Sequence, residues 1–300
     1  MKKVVLTGAC GFIGRHAIDG LIRRGYEVHA ISRTNFNLTA NAYWHRVNIF
    51  SSTQVENIFQ AIRPSHLLHF AWNVEPNSYM TSAENFHWVR ASMEMLSSFQ
   101  KNGGVRTVFA GTCAEYDWRY GYLTEQLTPC QPSSYYGICK NSLNAFMNAF
   151  CLASGISAAW GRIFFLYGPH EAASRLVAAT VKSLLQGEPA VCIHGDRYRD
   201  FLYVEDVADA FCALLDSSVT GPVNIASGEP IKIGELAKTI AYYIGNPELL
   251  HFEAVESSRG EPSLLCANVE RLLNEVSWKP RYKINEGIQK TIQWWQNYLN

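Results

Sequence analysis

Three apolar residues, Val4-Val5-Leu6, run through Thr7 into the heptapeptide Gly8-Ala9-Cys10-Gly11-Phe12-Ile13-Gly14. From there to residue 24, apolar side chains return at Ile13, Ala17, Leu21 and Ile22. The pattern predicts a buried strand, a tight glycine turn and an amphipathic helix with nothing between them. Such a junction needs glycine where the backbone reverses, where another group comes close and where helix meets strand. The helix start then presents unpaired N–H groups and the positive end of its dipole, which suits a pyrophosphate. An ordinary strand-to-helix turn shares these glycines, so the rest of the chain has to decide.

The alternation continues. Residues 27–31, 66–70 and 105–110 read as strands. Phe86, Val89, Met93, Leu96 and Phe99 recur at helical spacing, as do Leu143, Phe146, Met147 and Phe150. Strands alternating with helices predict right-handed βαβ units and a parallel sheet, hence an α/β fold. After about residue 168 the pattern is less regular, with turns at residues 187–189, 228–230 and 260–262. The division expected is a dinucleotide-binding domain over residues 1–168 and a smaller, intertwined lobe over 169–300. The paired Trp294 and Trp295, at helical spacing from Ile288 and Ile292, read as core.

Composition narrows the partners. The 26 Lys+Arg balance 26 Asp+Glu, so neither nucleic acid nor an anionic membrane is an expected partner. At 48% hydrophobic and 17% charged, the chain is globular. No apolar run reaches the length of about 18 residues that a transmembrane helix needs. The first residues reach Gly8 after too short an apolar stretch for a signal peptide. The 8 cysteines are scattered without a Cys-x-x-Cys pair, and the 9 histidines show no metal-ligand spacing. These features predict a reduced, cytoplasmic setting and no metal.

Two short patterns carry chemistry. Tyr136 and Lys140 are four apart at the start of the second amphipathic helix, so phenol and ammonium share one face. A neighbouring ammonium favours phenolate and lowers the tyrosine pKa. Tyr135 is a weaker candidate because Cys139 stands four residues beyond it. The second strand ends Ala30-Ile31-Ser32-Arg33, without the carboxylate that would accept a ribose 2′-hydroxyl and repel a 2′-phosphate. Ser32 can donate a hydrogen bond and Arg33 can fork onto a phosphate, although a solvated loop arginine would look the same.

The spacing G-x-x-G-x-x-G behind Thr7, and the Tyr136–Lys140 pair after the fifth strand, resemble the extended branch of the short-chain dehydrogenase/reductase superfamily. Residues 162–169 (Arg-Ile-Phe-Phe-Leu-Tyr-Gly-Pro), residues 199–208 (Arg-Asp-Phe-Leu-Tyr-Val-Glu-Asp-Val-Ala) and Arg259-Gly260-Glu261 are similar to later segments of its nucleotide-sugar epimerases, dehydratases and reductases. The resemblance runs from residue 3 to about 283. It implies a Rossmann-type doubly wound parallel sheet with a smaller intertwined C-terminal substrate lobe. It also implies dinucleotide contacts at Thr7, Gly8, Gly11, Phe12, Ile13, Gly14, Ser32, Arg33, Asn48, Ile49, Phe70, Ala71 and Trp72, with Tyr136 and Lys140. His69 precedes the stretch that runs beside the cofactor, while His16 and His29 read as structural. Thr112 matches the residue that orients a carbonyl or hydroxyl, which makes Thr112, Tyr136 and Lys140 the catalytic set. The substrate contacts implied are Thr112, Cys113, Phe165, Arg175, Arg199 and Arg259, with Arg199 and Arg259 clamping a pyrophosphate. For Arg199 the alternative is an ion pair with Asp200 or Asp206, and for Arg259 a solvated loop arginine.

The departures from the pattern sharpen the expectation. Nucleotide-sugar 4,6-dehydratases place an acid–base pair directly after the threonine. Here Cys113 and Ala114 stand there, and Glu115 is one position too far. Trp88 and Phe165 stand where many relatives have Asn. The function expected is NADPH-dependent reduction of a nucleotide-linked keto-sugar, specifically a 4-keto-6-deoxyhexose of deoxysugar biosynthesis, with NADP(H) preferred and NAD(H) the second candidate. An NAD-dependent nucleotide-sugar 4-epimerase is the nearest rival, since it shares the same triad. A non-catalytic dinucleotide sensor and a reductase of apolar ketones stand further off. A homodimer through the two amphipathic helices is carried by the resemblance alone.

Overall fold

The computed structural model describes residues 2–34, 39–76, 78–253 and 262–299. Its first half runs β1 (Lys2–Thr7), α1 (Gly14–Arg23), β2 (Tyr26–Ser32), β3 (Tyr43–Arg46), α2 (Ser52–Ile62), β4 (His66–His69), α3 (Glu84–Lys101) and β5 (Arg106–Thr112). Then follow β6 (Tyr122–Leu123), α4 (Tyr135–Ser154), β7 (Ser157–Ile163), β8 (Phe165–Tyr167), α5 (Leu176–Leu185), β9 (Ala190–Ile193), β10 (Tyr198–Tyr203) and α6 (Val204–Asp216). The chain closes with β11 (Gly221–Ile225), β12 (Pro230–Lys232), α7 (Ile233–Ile244), β13 (Leu250–Glu253), β14 (Leu264–Ala267) and α8 (Ile284–Leu299).

Seven strands pair in the order β11-β7-β5-β4-β1-β2-β3, all parallel. The chain winds outward from β1 through β2 to β3, then crosses back to lay β4 on the other side of β1. Rossmann-type sheets bind their ligand at that switch point, beyond the carboxyl ends of the strands. Strands β4 and β5 are buried along nearly their whole length, as a sheet covered on both faces requires. One face is covered by α1 and α6, where Ala17, Ile18 and Leu21 pack with Phe211, Leu214 and Leu215. The other is covered by α2, α3 and α4, through Phe59, Met95, Phe99, Leu143 and Met147. A second sheet, β12-β10-β14-β6 with β8 beside β10, belongs mostly to the later part of the chain.

Residues 162–169 carry the chain out of the large sheet. β7 ends in the large sheet at Ile163, Phe164 turns into a separate buried cluster with Tyr116, Leu123 and Leu265, and β8 joins β10 in the second sheet. The break at Phe164 hands the chain from one sheet to the other. On α3 the inward face is Trp88, Met95, Leu96 and Phe99, while Phe86 is 56% exposed. On α4 Leu143 and Met147 are buried, but Phe146 lies at the surface. Trp295 is core and Trp294 partly so, as expected.

Candidate active site

The glycine turn is built for close approach. Gly8 has φ +68, and a methyl group there would come within 2.8 Å of the Ala71 nitrogen. A methyl on Gly14 would overlap the Gly8 carbonyl, so the start of α1 presses on the turn. Beneath it lies a closed relay. The Ala71 N–H donates to Thr7 Oγ1 (3.3 Å), which bonds His69 Nδ1 (2.7 Å), while His69 Nε2 meets Ser92 Oγ (2.9 Å). Because Ser92 donates onward to the Trp88 carbonyl (2.7 Å), His69 must donate from Nε2 and accept at Nδ1 from Thr7. Burial, reinforced by Lys140, pushes the imidazole down to about 3, so it stays neutral. The Thr7 hydroxyl is therefore committed inside the protein, where it fixes the strand end rather than reaching outward.

At the tip of β2, Ser32 Oγ accepts from the Thr34 N–H (3.2 Å). Arg33 is exposed and lines a cleft of about 610 Å³ with Arg46, Asn48, Gln54 and Asn57. Strands β2 and β3 run in register with Ser32 opposite Arg46, so Arg33 and Arg46 emerge at the same edge. Among the described residues, neither guanidinium is engaged in a hydrogen bond or ion pair. Asn48 Oδ1 caps Phe50 N (3.1 Å) and its own N–H goes to Gln54 Oε1 (2.9 Å), while Ile49 is buried beneath. Sequence reading missed Arg46, because only the pairing of β2 with β3 shows that it stands beside Ser32.

Thr112, Tyr136 and Lys140 converge at the end of β5. Tyr136 is the second residue of α4, whose first turn is capped by Ser134 Oγ accepting from Gly137 N (3.1 Å). The phenol is buried, with Tyr79 edge-on at 5.0 Å and Trp72 at 6.2 Å between ring centroids. Lys140 Nζ donates to the Ala110 carbonyl (2.8 Å) and lies 3.7 Å from the centroid of the Trp72 indole.

The electrostatics differ from the sequence expectation. Burial, reinforced by Tyr79, pushes the Tyr136 phenol above its ordinary range, with hydrogen bonding to Thr112 pulling the other way. Burial also pushes the Lys140 ammonium down to about 7 against the attraction of Glu115. Desolvation outweighs the mutual help that spacing alone implies, because Lys140 spends a proton on Ala110 and sits 6.0 Å from the phenol ring centroid.

After Thr112 the chain makes a 3₁₀ turn, Cys113–Glu115, rather than continuing as strand. Glu115 is fully buried. It accepts from Thr112 N (2.8 Å), Trp160 Nε1 (2.8 Å) and Arg162 Nε (2.9 Å). A side chain on Gly111 would collide with the Trp160 nitrogen of this arrangement. The Cys113 thiol is buried and pushed up to about 12 by desolvation and Glu115. Neither residue offers a mobile proton beside the threonine.

In the second sheet, Arg199 is buried, donates to the carbonyls of Tyr198 (2.8 Å) and Pro262 (3.2 Å), and faces the Phe165 ring at 5.6 Å. Burial and the neighbouring Arg197 bring it down to about 10. Asp200 is taken up by Ser227, Gly228 and Ala267, and Asp206 by the N–H groups of Arg281 and Tyr282. Arg175, at the start of α5, donates to the Val74 carbonyl (3.3 Å) and stacks over Tyr79 at 5.2 Å, one ring from Tyr136. Tyr79 and the side chain of Trp72 are contacts that sequence reading missed, since both come from the loop after β4. Arg259 lies outside the described residues.

Known proteins share this architecture. The model of the NAD dependent epimerase/dehydratase family matches residues 4–234. UDP-glucuronic acid decarboxylase 1 of Xenopus tropicalis is 25% identical over 312 residues, covering 99% of this chain and 73% of that protein. The UDP-glucose 4-epimerase of Thermotoga maritima, solved with UDP-glucose, superposes with a TM-score of 0.87 at 24% identity over 100% of both chains. The UDP-glucose 4-epimerase of Thermus thermophilus, in complex with NAD, gives 0.84 at 24% identity over 98% of this chain and 99% of that one. At such identities the solved structures speak to the fold. With the family match spanning both the glycine turn and the Tyr136–Lys140 pair, the chain belongs to the NAD-dependent epimerase/dehydratase family.

Proposed function

We propose that the protein reduces a nucleotide-linked keto-sugar, an NDP-4-keto-6-deoxyhexose, with NADPH, as a cytoplasmic homodimer. Residues 1–168 hold the dinucleotide and 169–300 the sugar nucleotide. The observation that carries the reading is the cleft beside β2, where two guanidiniums, Arg33 and Arg46, uncommitted among the described residues, stand where a carboxylate would favour NAD. A 2′-phosphate suits such a pair, and NADPH is a consumable reductant rather than a retained one. The close backbone approach at Gly8 and Gly14 fits a dinucleotide pyrophosphate.

A reduced nicotinamide, when bound, supplies the hydride. Tyr136, held protonated by burial, donates its phenolic proton to the carbonyl oxygen of the sugar. Thr112 hydrogen-bonds the same oxygen as charge develops, and Lys140 lowers the cost of the phenolate left behind. Arg199 and Arg259 take the substrate pyrophosphate, with Phe165, Cys113 and Arg175 around the sugar. Inert Cys113 and sequestered Glu115 argue against water elimination. The outward Phe86, Ile138 and Phe146 of α3 and α4 support the dimer.

The test monitors NADPH and NADH loss against a panel of keto-sugar nucleotides. Calorimetry runs beside it, with adenosine 2′,5′-bisphosphate compared to ADP. We expect NADPH to be consumed, and Arg33→Ala and Arg46→Ala each to cost about tenfold in bisphosphate affinity but little in ADP affinity. The second reading is a 4-epimerase with NAD, favoured by the fold shared with two UDP-glucose 4-epimerases. Stoichiometric NAD released on denaturation, with no NADPH consumed, selects it.

A further inference from the structure

We infer that Trp72 is a positioning residue whose indole face keeps the Lys140 ammonium charged beside Tyr136. The inference rests on Tyr136 and Lys140 being the working pair. Lys140 is buried, and one of its protons goes to the Ala110 carbonyl at 2.8 Å. The nearest aromatic face is Trp72, at 3.7 Å from Nζ to the ring centroid, well inside the range of a strong cation–π contact.

The ionisable neighbours offer little else. From β4, His69 is neutral; from α4 itself, Tyr136 holds its proton; and Tyr79, from the loop after β4, faces Tyr136. Glu115, from the 3₁₀ turn after β5, is the anion acting on Lys140, and it is already bound to Arg162 and Trp160. An ammonium in this position, drawn down to about 7 by burial, needs a partner that remains in place.

Trp72 is held as such a partner would be. Its Nε1 donates to Asn85 Oδ1 (2.8 Å), and Asn85 Nδ2 donates to the carbonyls of Tyr79 (2.7 Å) and Ser82 (2.9 Å). Trp88 stacks with it, 6.1 Å away at 28°. This gives the tryptophan at position 88 a role, as a ring that helps hold the platform.

The test reads Lys140 itself. The ¹³Cε resonance of Lys140 in lysine-labelled full chain, assigned by its loss in Lys140→Arg, is followed through a pH titration. Trp72→Leu is expected to lower the midpoint by about one unit, and Trp72→Phe, with its weaker ring quadrupole, by less. If the leucine variant does not fold, the phenylalanine variant decides: a lowered midpoint supports the platform and an unchanged one overturns it. An unchanged midpoint in a folded Trp72→Leu also overturns it, leaving Trp72 a wall of the pocket. Because no substrate is needed, failure of the ketoreductase reading shows up separately, in the absence of NADPH consumption.

Discussion

Two buried charged clusters hang from the end of β5, on either side of Thr112, and they are built on opposite principles. On one side Glu115 is saturated by Thr112, Trp160 and Arg162, and the Arg162 guanidinium also lies 4.3 Å from the Tyr116 ring. On the other side Tyr136 and Lys140 are buried as deeply, yet their charged forms are undersupplied with partners, and both pKa values move toward the neutral species. The first is a lock, in which ionic groups hold the turn that places Thr112. The second is poised at Lys140, which burial brings down to about 7, so that a proton leaves or arrives there at modest cost near neutrality. Burial alone therefore does not mark a functional group; burial that drives both partners toward their neutral forms, as it does not for Arg162, is the sharper mark.

The contrast is sharpened most by removing a proton donor from the poised side. Tyr136→Phe keeps the ring packing against Tyr79 and Trp72 and removes only the hydroxyl. We expect kcat for keto-sugar reduction to fall by about 10²–10⁴-fold with the melting temperature nearly unchanged. On the locked side the order reverses. Glu115→Gln leaves the buried Arg162 without its counter-charge, and we expect a loss of about 3–5 kcal/mol in urea unfolding. If Glu115→Gln kept full stability, or Tyr136→Phe lost it, the division into lock and poised pair would collapse.

The legible parts of the sequence were those where one residue type answers one local demand. The glycine turn could be read because φ +68 at Gly8 and the contact with Ala71 exclude side chains. Tyr136 and Lys140 could be read because helical spacing puts them on one face. What stayed hidden depends on pairing between distant segments. Arg46 joins Arg33 only through the register of β2 with β3, and Trp72 reaches Lys140 from a loop whose path no periodicity reports. The helix pattern also counted Phe86 as inward, whereas Trp88 and Met95 fill the sheet side and leave Phe86 outside. Glu115, one position beyond the acid–base pair of the dehydratases, lies in a 3₁₀ turn that local sequence did not announce.

The smallest effect discriminates most finely, because its sign differs between the two clusters. Lys140→Met removes a buried ammonium whose burial is incompletely offset, at the cost of leaving the Ala110 carbonyl without its donor. We expect this variant to be inactive yet more stable than the wild type by about 1–2 kcal/mol at neutral pH. The pH dependence follows from linkage. The folded-state pKa of Lys140 is depressed from 10.5 to about 7, so between those values the unfolded chain binds the extra proton. Wild-type stability then rises with pH across that window, by at most about 1.4 kcal/mol per unit from this group. The methionine variant lacks that contribution, so its advantage is largest at or below pH 7 and shrinks toward pH 10.5. Urea midpoints for both proteins at several pH values between 6 and 10 measure it. A variant less stable than wild type at pH 7, with a parallel pH profile, would place Lys140 with Glu115 among the residues that hold the fold together.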